Sequence, residues 1–349
     1  MSNATIAPIL DYCIKLWASD IHISEWENIG FRVNGTIGKT QNSTVSNETI
    51  NKILSELLRW DQETIDAFKS WHDLDFAYIH TGGSPFRINA FYKLWRMAFV
   101  MRRIASEPKK MEDLWLPAWV KKFVKAKQGL ILVTGPTWSG KSTSMISILN
   151  EINKTRREHI LTIEDPVEFI FKDEQSIFSQ REIGKDTKSF HSALRAAMRE
   201  DPDIVMVGEM RDKETVEAAM ELAETGHLVI STLHTAGSVQ TITRLVNFFH
   251  PELQHSVRYK LGDILFGVLS QRLIPKADGT GRVWIYEIMM MTPGIKNLIR
   301  AWDLVQINNA IEMGQSEGMV GMKTYADRLK DQGVIKEEDY INYFQDDMD

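Results

Sequence analysis

The sequence predicts an α/β protein, a mostly parallel sheet wrapped by helices, with a smaller α+β domain in front of it. Two observations carry that expectation. From residue 129 onward, apolar runs of strand length (Leu130–Val133, Ile160–Ile163, Ile204–Val207 and Leu228–Ile230) alternate with helical patterns. Such alternation needs helices on both faces of a buried sheet. The first hundred residues instead mix period-two segments with short helices and a turn dipeptide, the pattern of a separate α+β unit.

Taken in order, residues 4 to 18 read as a helix with Ile6, Ile9, Leu10, Cys13 and Trp17 along one side. Asp20–Ser24 alternates as a strand, and Phe31–Ile37 reads as two short strands about Asn34-Gly35, the pair that favours a type I′ hairpin turn. A helix follows on Ile50, Ile53, Leu54 and Leu57, then strands near Leu74–Ile79 and Phe86–Tyr92. The expected boundaries are a domain over 1–105, a linker over 106–118 marked by Pro108, Pro117 and mixed charge, and a second domain over 119–349 that opens with a helix near Trp119. No fixed-period repeat or low-complexity tract is present, apart from the acidic end Asp346-Asp347-Met348-Asp349, which reads as solvated.

Composition narrows the class. At 349 residues, 43% hydrophobic and 25% charged, the chain is ordinary globular protein with material for two cores. A net charge of −6 argues against a nucleic-acid partner, whose backbone would need a basic face. The lone Cys13 excludes a disulfide framework or a multi-cysteine zinc site and suits a reducing compartment. No signal-peptide pattern opens the chain, and no apolar run reaches the ~20 residues that span a bilayer. The expectation is a cytoplasmic protein that meets a membrane only through a partner.

The run Leu130–Val133 leads into Gly135-Pro136-Thr137-Trp138-Ser139-Gly140-Lys141-Ser142-Thr143, which fits the phosphate-loop pattern, and a helix follows on Met145, Ile148, Leu149 and Ile152. The glycines let successive N–H groups turn toward a polyphosphate, and the helix N-terminus adds its positive end. Lys141 would reach the terminal phosphates, and the Ser142 hydroxyl would ligate Mg²⁺. In such sheets the ligand sits at the carboxyl ends of the strands. The later runs end in Glu164-Asp165-Pro166, in Gly208-Glu209 and in Ser231-Thr232-Leu233-His234. Phosphoryl transfer needs a metal-side carboxylate and a group that activates water. Glu164 is assigned the water and Glu209 the Mg²⁺ side. The reverse assignment stays open, as does a purely structural pairing of one acid with Arg211.

His234, at the carboxyl end, is the better γ-phosphate sensor. His227 precedes the same strand seven residues earlier, some 20 Å away at ~3.3 Å per residue, and suits either a subunit boundary or a structural role. In the first domain Arg87, Arg96, Arg102 and Arg103 lie in or just after the last strands, where arginines either stay solvated or act on a neighbouring subunit's nucleotide.

Together Ala18–Ile23, Gly135–Thr143, Thr162–Phe169, Arg199–Asp212 and Thr225–Thr235 resemble the secretion-type hexameric ATPases of type II secretion and type IV pili, in order and over nearly the whole chain. Within that family the chain is most similar to the twitching-motility retraction ATPases, and Ile295–Arg300 resembles their carboxyl-terminal motif. The resemblance implies a short PAS-like N-terminal domain and a RecA-like P-loop motor domain. It implies ATP and Mg²⁺ as ligands, a homohexameric ring with nucleotide at subunit boundaries, Arg87 and Arg102 acting in trans, and docking on an inner-membrane platform protein of the pilus machine. Asp165 and His227 are counted with the nucleotide-binding residues. A pilus-assembly, competence or Dot/Icm-type transport ATPase is the rival within the class. A weakly hydrolysing accessory subunit beside a paralogous retraction ATPase is another.

The chain departs from the family at three places. Trp138 stands where these motors carry glycine, Trp95-Arg96 where they run Arg-Gly, and Ala301-Trp302 where an acidic start is usual.

Overall fold

A computed structural model describes residues 6–33, 36–71, 73–81, 83–104 and 108–345. The chain divides into two compact units, one of residues 1–107 with 166–170 and one of residues 108–165 with 171–349. The sequence places 166–170 wholly in the second domain. Composition marks where a chain changes character, and cannot show a short segment leaving one unit and returning. In that segment Val167 and Phe169 are buried and Glu168 between them is exposed, the alternation of extended chain.

The first unit runs α1 (Ile6–Lys15), β1 (Asp20–Ser24), β2 (Asn28–Val33), β3 (Thr36–Thr44), α2 (Asn47–Leu57), α3 (Gln62–Trp71), β4 (Asp73–Ile79), β5 (Pro85–Lys93) and β6 (Arg96–Arg103). Its six strands form one antiparallel sheet in the order β3-β2-β1-β6-β5-β4. Ile21, Ile23, Phe86, Ile88, Phe99 and Met101 from the strands pack with Leu10, Ile53, Leu54 and Phe68 from the helices. α2 begins where the Ser46 hydroxyl accepts the Thr49 N–H, and it buries Ile50, Ile53, Leu54 and Leu57 along one stripe. The Asn34-Gly35 pair lies outside the described residues, and the flanking strands pair Val33 with Thr36 across it.

Two elements here escape the sequence pattern. In α3, Ile65 and Phe68 are buried amid acids and polar residues, a stripe too thin to read. β6 alternates Met97, Phe99 and Met101 inward but carries three arginines, which disguise a central strand as a domain edge.

The second unit opens with α4 (Lys121–Lys125), β7 (Gly129–Thr134), α5 (Lys141–Thr155), β8 (His159–Glu164), β9 (Ile177–Glu182), α6 (Phe190–Ala197), β10 (Ile204–Val207), α7 (Lys213–Glu224) and β11 (Leu228–Leu233). It continues through α8 (Ser238–Asn247), α9 (Pro251–Ile264), β12 (Leu265–Pro275), β13 (Arg282–Met290), α10 (Pro293–Ala301), α11 (Leu304–Met313), α12 (Met322–Asp331) and α13 (Glu337–Gln345). The seven-stranded sheet has the order β13-β12-β7-β11-β10-β8-β9. All neighbours are parallel except β13, which turns back on β12. Every residue of β7 and of β11 is buried. The parallel run brings the carboxyl ends of β7, β11, β10 and β8 to one edge in that order, which decides where the site is built. Among the described residues no helix is long and apolar enough to cross a membrane.

Candidate active site

The phosphate loop leaves β7 at Thr134 and enters α5 at Lys141. Its shape depends on two glycines. A Cβ on Gly135 would lie 2.2 Å from the Gln271 carbonyl oxygen and 2.6 Å from Ser139 Oγ, so only hydrogen fits. Gly140 caps α5 at φ 82°, a left-handed conformation that costs other residues roughly 1–2 kcal/mol. Pro136, Thr137 and Trp138 are exposed at the turn, Ser139 is buried beneath them, and Ser142 and Thr143 are partly buried in the first turn of α5.

Lys141 is buried, and its Nζ donates to the Gly135 and Pro136 carbonyls at 2.8 and 2.9 Å. The same Nζ lies 3.4 Å from His234 Nδ1, and His234 Nε2 lies 3.4 Å from Glu209 Oε2. An ammonium only donates, so Nδ1 accepts from it and the imidazole proton sits on Nε2, facing Glu209. Burial, and then the Lys141 charge, push the His234 pKa below its ordinary value against the pull of Glu209. The imidazole is therefore neutral at neutral pH. Glu209 also pairs with Arg211, the structural pairing that the sequence left open.

Backbone and hydroxyl bonds fix these stations across neighbouring strands. The Gly208 N–H donates to Ile163 O at 2.8 Å, Met210 N–H to Thr232 O at 3.2 Å, and the Thr232 hydroxyl to Gly208 O at 2.7 Å. Glu164 ends β8 and is buried. Its Oε1 accepts from the Thr162 hydroxyl at 2.7 Å and from Gln180 Nε2 at 3.3 Å. Asp165, the next residue, is exposed.

Other residues chosen from the sequence fall elsewhere. His227 sits at the opposite end of β11 from His234, its Nδ1 3.0 Å from Leu222 O and its carbonyl bound by the Gly129 N–H. Within its own chain it is no part of the loop's nucleotide site, because a strand runs the length of the sheet between the two histidines. Arg87 and Arg102 belong to the first unit, opposite one another on β5 and β6. Arg102 Nε donates to Asp20 Oδ1 at 2.8 Å, with Arg32 3.6 Å from the other oxygen. Burial would raise the Asp20 pKa, but hydrogen bonds from Arg102 and Ser19 outweigh it and hold the carboxyl below its usual range.

Three supporting residues went unseen in the sequence. The fully buried Gln271 of β12 donates from Nε2 to Ser139 O at 2.8 Å, and Trp284 of β13 donates from Nε1 to the same oxygen at 3.1 Å. Glu287 of β13 accepts the Ser238 N–H at 2.6 Å and so anchors the loop that carries His234 into α8. They lie far from the loop in sequence, on a hairpin whose pairing with β7 has no local signal.

The loop's donors suit a polyphosphate. Lys141 is folded onto the loop's own carbonyls, and the buried Ser139 hydroxyl has no hydrogen-bond partner. Among the described residues no three His, Cys, Asp or Glu side chains are grouped to hold a metal.

Fold and site together define a phosphate-loop nucleotide-binding protein of the open α/β class. Residues 2–326 match the family described as Type II/IV secretion system protein, and the chain belongs to that family. It is 40% identical to the type IV pilus retraction ATPase PilT of Pseudomonas aeruginosa over 333 residues, 95% of this chain and 96% of the relative. It is 33% identical to the type IV pilus ATPase PilU of the same organism, over 95% of this chain and 87% of that one. The crystal structure of the pilus retraction motor PilT with bound ADP superposes with a TM-score of 0.91 at 41% identity, covering 97% of each chain.

Proposed function

We propose that this protein is an ATP-hydrolysing motor that drives type IV pilus retraction. In this reading the second unit is a RecA-like motor domain, the first is a PAS-like domain, and six copies form a ring. The ring works at the cytoplasmic face of the inner membrane by docking on a pilus platform protein, beside a paralogous ATPase where one exists. The observation that carries the reading is the linkage Lys141–His234–Glu209 at the mouth of the phosphate loop, in a chain alike over its whole length to retraction ATPases. A transport or assembly ATPase is the second reading, favoured by nothing in the site itself.

The residues divide the chemistry. Loop amides and Lys141 bind and orient the phosphates, and Ser142 and Glu209 would hold Mg²⁺, which when bound neutralises charge on the transferring phosphoryl group. Glu164 takes the proton of the attacking water. Neutral His234 donates its Nε2 proton toward the acidic side of the site and couples Glu209 to Lys141. Arg87 and Arg102 of the neighbouring subunit supply positive charge in trans.

Glu164→Gln and Glu209→Gln test the division. Both should fold and form rings, and both should lose at least 10²-fold in steady-state hydrolysis, as general-base or charge-stabilising losses do. Glu164→Gln should keep Mg²⁺-dependent ATP binding, whereas Glu209→Gln should lose its magnesium dependence. The opposite binding result reverses the two roles, and wild-type turnover in either variant removes that residue from the chemistry.

A further inference from the structure

Left-handed backbone is glycine's territory, and in this chain tryptophan shares it. Among the described residues ten non-glycine positions have positive φ between 48° and 67°, and seven are tryptophan: Trp17, Trp26, Trp60, Trp95, Trp115, Trp138 and Trp302. The chain has only ten tryptophans. For a bulky aromatic such a conformation is an outlier, and asparagine, aspartate and glycine are the residues that tolerate it. Of the other three, Asp201 is of that tolerant class, and Arg59 and Leu94 directly precede Trp60 and Trp95 in the same turns.

Six of the seven fill a hydrogen-bonded slot that selects glycine, and Trp60 lies one residue past such a slot. Trp17, Trp115 and Trp302 occupy the first residue beyond a helical turn, closed by paired bonds: Trp17 N to Ile14 O with Ala18 N to Cys13 O, Trp115 N to Glu112 O with Leu116 N to Met111 O, and Trp302 N to Ile299 O with Asp303 N to Leu298 O. This is the Schellman motif, whose left-handed residue is usually glycine. Beyond α2 the paired bonds are Arg59 N to Glu56 O and Trp60 N to Ser55 O, so Arg59 holds the Schellman slot and Trp60 follows it, also left-handed. Trp26 and Trp138 are third in the turns closed by Glu27 N to Ser24 O and Ser139 N to Pro136 O, where positive φ calls for glycine. Leu94-Trp95 joins β5 to β6 with both residues left-handed, the type I′ turn that favours Asn-Gly.

The side chains match the backbone. Six of the seven indoles are 44% to 94% exposed, and Trp302 is half-buried. Arginines lie over Trp17 and Trp302 at 5.4 and 5.2 Å, a surface contact that an exposed ring readily collects. The remaining tryptophans differ. Trp71 is helical, Trp119 packs against Gly318 and Lys122, and Trp284 donates to the phosphate loop.

We infer that glycine occupies positions 17, 26, 60, 95, 115, 138 and 302 in the protein its host makes, and that tryptophan occupies 71, 119 and 284. A reassigned codon produces this partition. UGA differs from the glycine codon GGA in one base, and variant genetic codes read it either as tryptophan or as glycine. The loop then becomes Gly-Pro-Thr-Gly-Ser-Gly-Lys-Ser, the hairpin ends in Leu-Gly, and the helix cap after Ala301 is a glycine. The indole at 138, one of the chain's departures from the family pattern, is then absent from the working chain. The inference rests on backbone geometry spread over the whole chain, so it stands or falls independently of the ATPase reading.

Peptide mass spectrometry on the chain purified from its own organism tests it, with the gene read in parallel. Glycine masses are expected at the seven positions and tryptophan masses at the other three, with UGA at the seven codons and UGG at the three. Tryptophan in the native peptide spanning 138, or UGG at the seven codons, overturns the inference. Recombinant chains give a separate readout of fit. Trp17→Gly, Trp95→Gly and Trp302→Gly should each raise the thermal midpoint, while Trp119→Gly and Trp284→Gly lower it. A fall in all five would show that the left-handed indoles are native.

Discussion

Lys141 is held at rest by two loop carbonyls and an imidazole nitrogen. A phosphate would replace those carbonyls as its partner, so the side chain is already desolvated and aimed before substrate arrives. The carbonyl at Ser139 is fixed from below by Gln271 and Trp284. Gln271→Ala removes one of those two donors and should lower stability by about 1 kcal/mol. ATP affinity should weaken with it, read by thermal denaturation and nucleotide titration on the same sample. Unchanged ATP affinity would show that Trp284 alone holds the loop. In the first unit, Asp20 is the residue that pH will expose. Its native pKa lies below the ordinary 3.8, so its contribution to stability is complete above that value and lost as pH falls through the native one. Arg102→Ala should flatten the loss of stability below pH 3.8 in acid denaturation curves.

At the scale of elements, the β12–β13 hairpin holds the site together. β12 lies beside β7, β13 covers β12, and from these two strands come Gln271, Trp284 and Glu287. The outer end of the hairpin is packed by α12 and α13, with Ile274, Val283 and Ile285 against Met322, Ala326, Leu329 and Tyr340. Protein atoms crowd the Glu287 carboxyl, and that burial raises its pKa above 4.5 despite the hydrogen bonds from Ser238. Glu312 faces it with like charge and Arg272 with opposite charge. For an acid raised in the native state, stability is complete below the unfolded value and falls as pH rises through the native one. Glu287→Gln keeps the acceptor for Ser238 and removes the charge. Its thermal midpoint at neutral pH should exceed that of the parent chain, and the decline above pH 4.5 should flatten in scans across that range. A lower midpoint at neutral pH would mean that the charged form is the one the α8 N-terminus requires.

At the scale of the molecule, the proposed ring makes a prediction that no single chain can satisfy. If Arg102 serves the neighbouring subunit's nucleotide, Arg102→Ala and Glu164→Gln chains should each be inactive alone. Mixed in equal amounts, they should recover hydrolysis at boundaries that pair an intact motor domain with an intact arginine. Complementation read by phosphate release, with ring size checked by native mass measurement, tests this. Mixtures as inactive as their parents would return Arg102 to the structural role that its bond to Asp20 already gives it.

What could be read from residues alone was whatever is local. The phosphate loop, the buried runs of β7, β8, β10 and β11, and the acids and histidine that end them follow from period and spacing, because a parallel strand and a glycine turn each write their pattern within ten residues. The α+β character of the first unit was visible for the same reason. α3 and β6 were not, since charged side chains on an exposed face mask a thin apolar stripe. Tertiary structure alone decided the rest. It chose the strand order that sets His234 and Glu209 beside Lys141, and brought Gln271 and Trp284 under the loop. Those contacts join residues up to 145 positions apart, and distant pairing is settled by how a whole sheet packs.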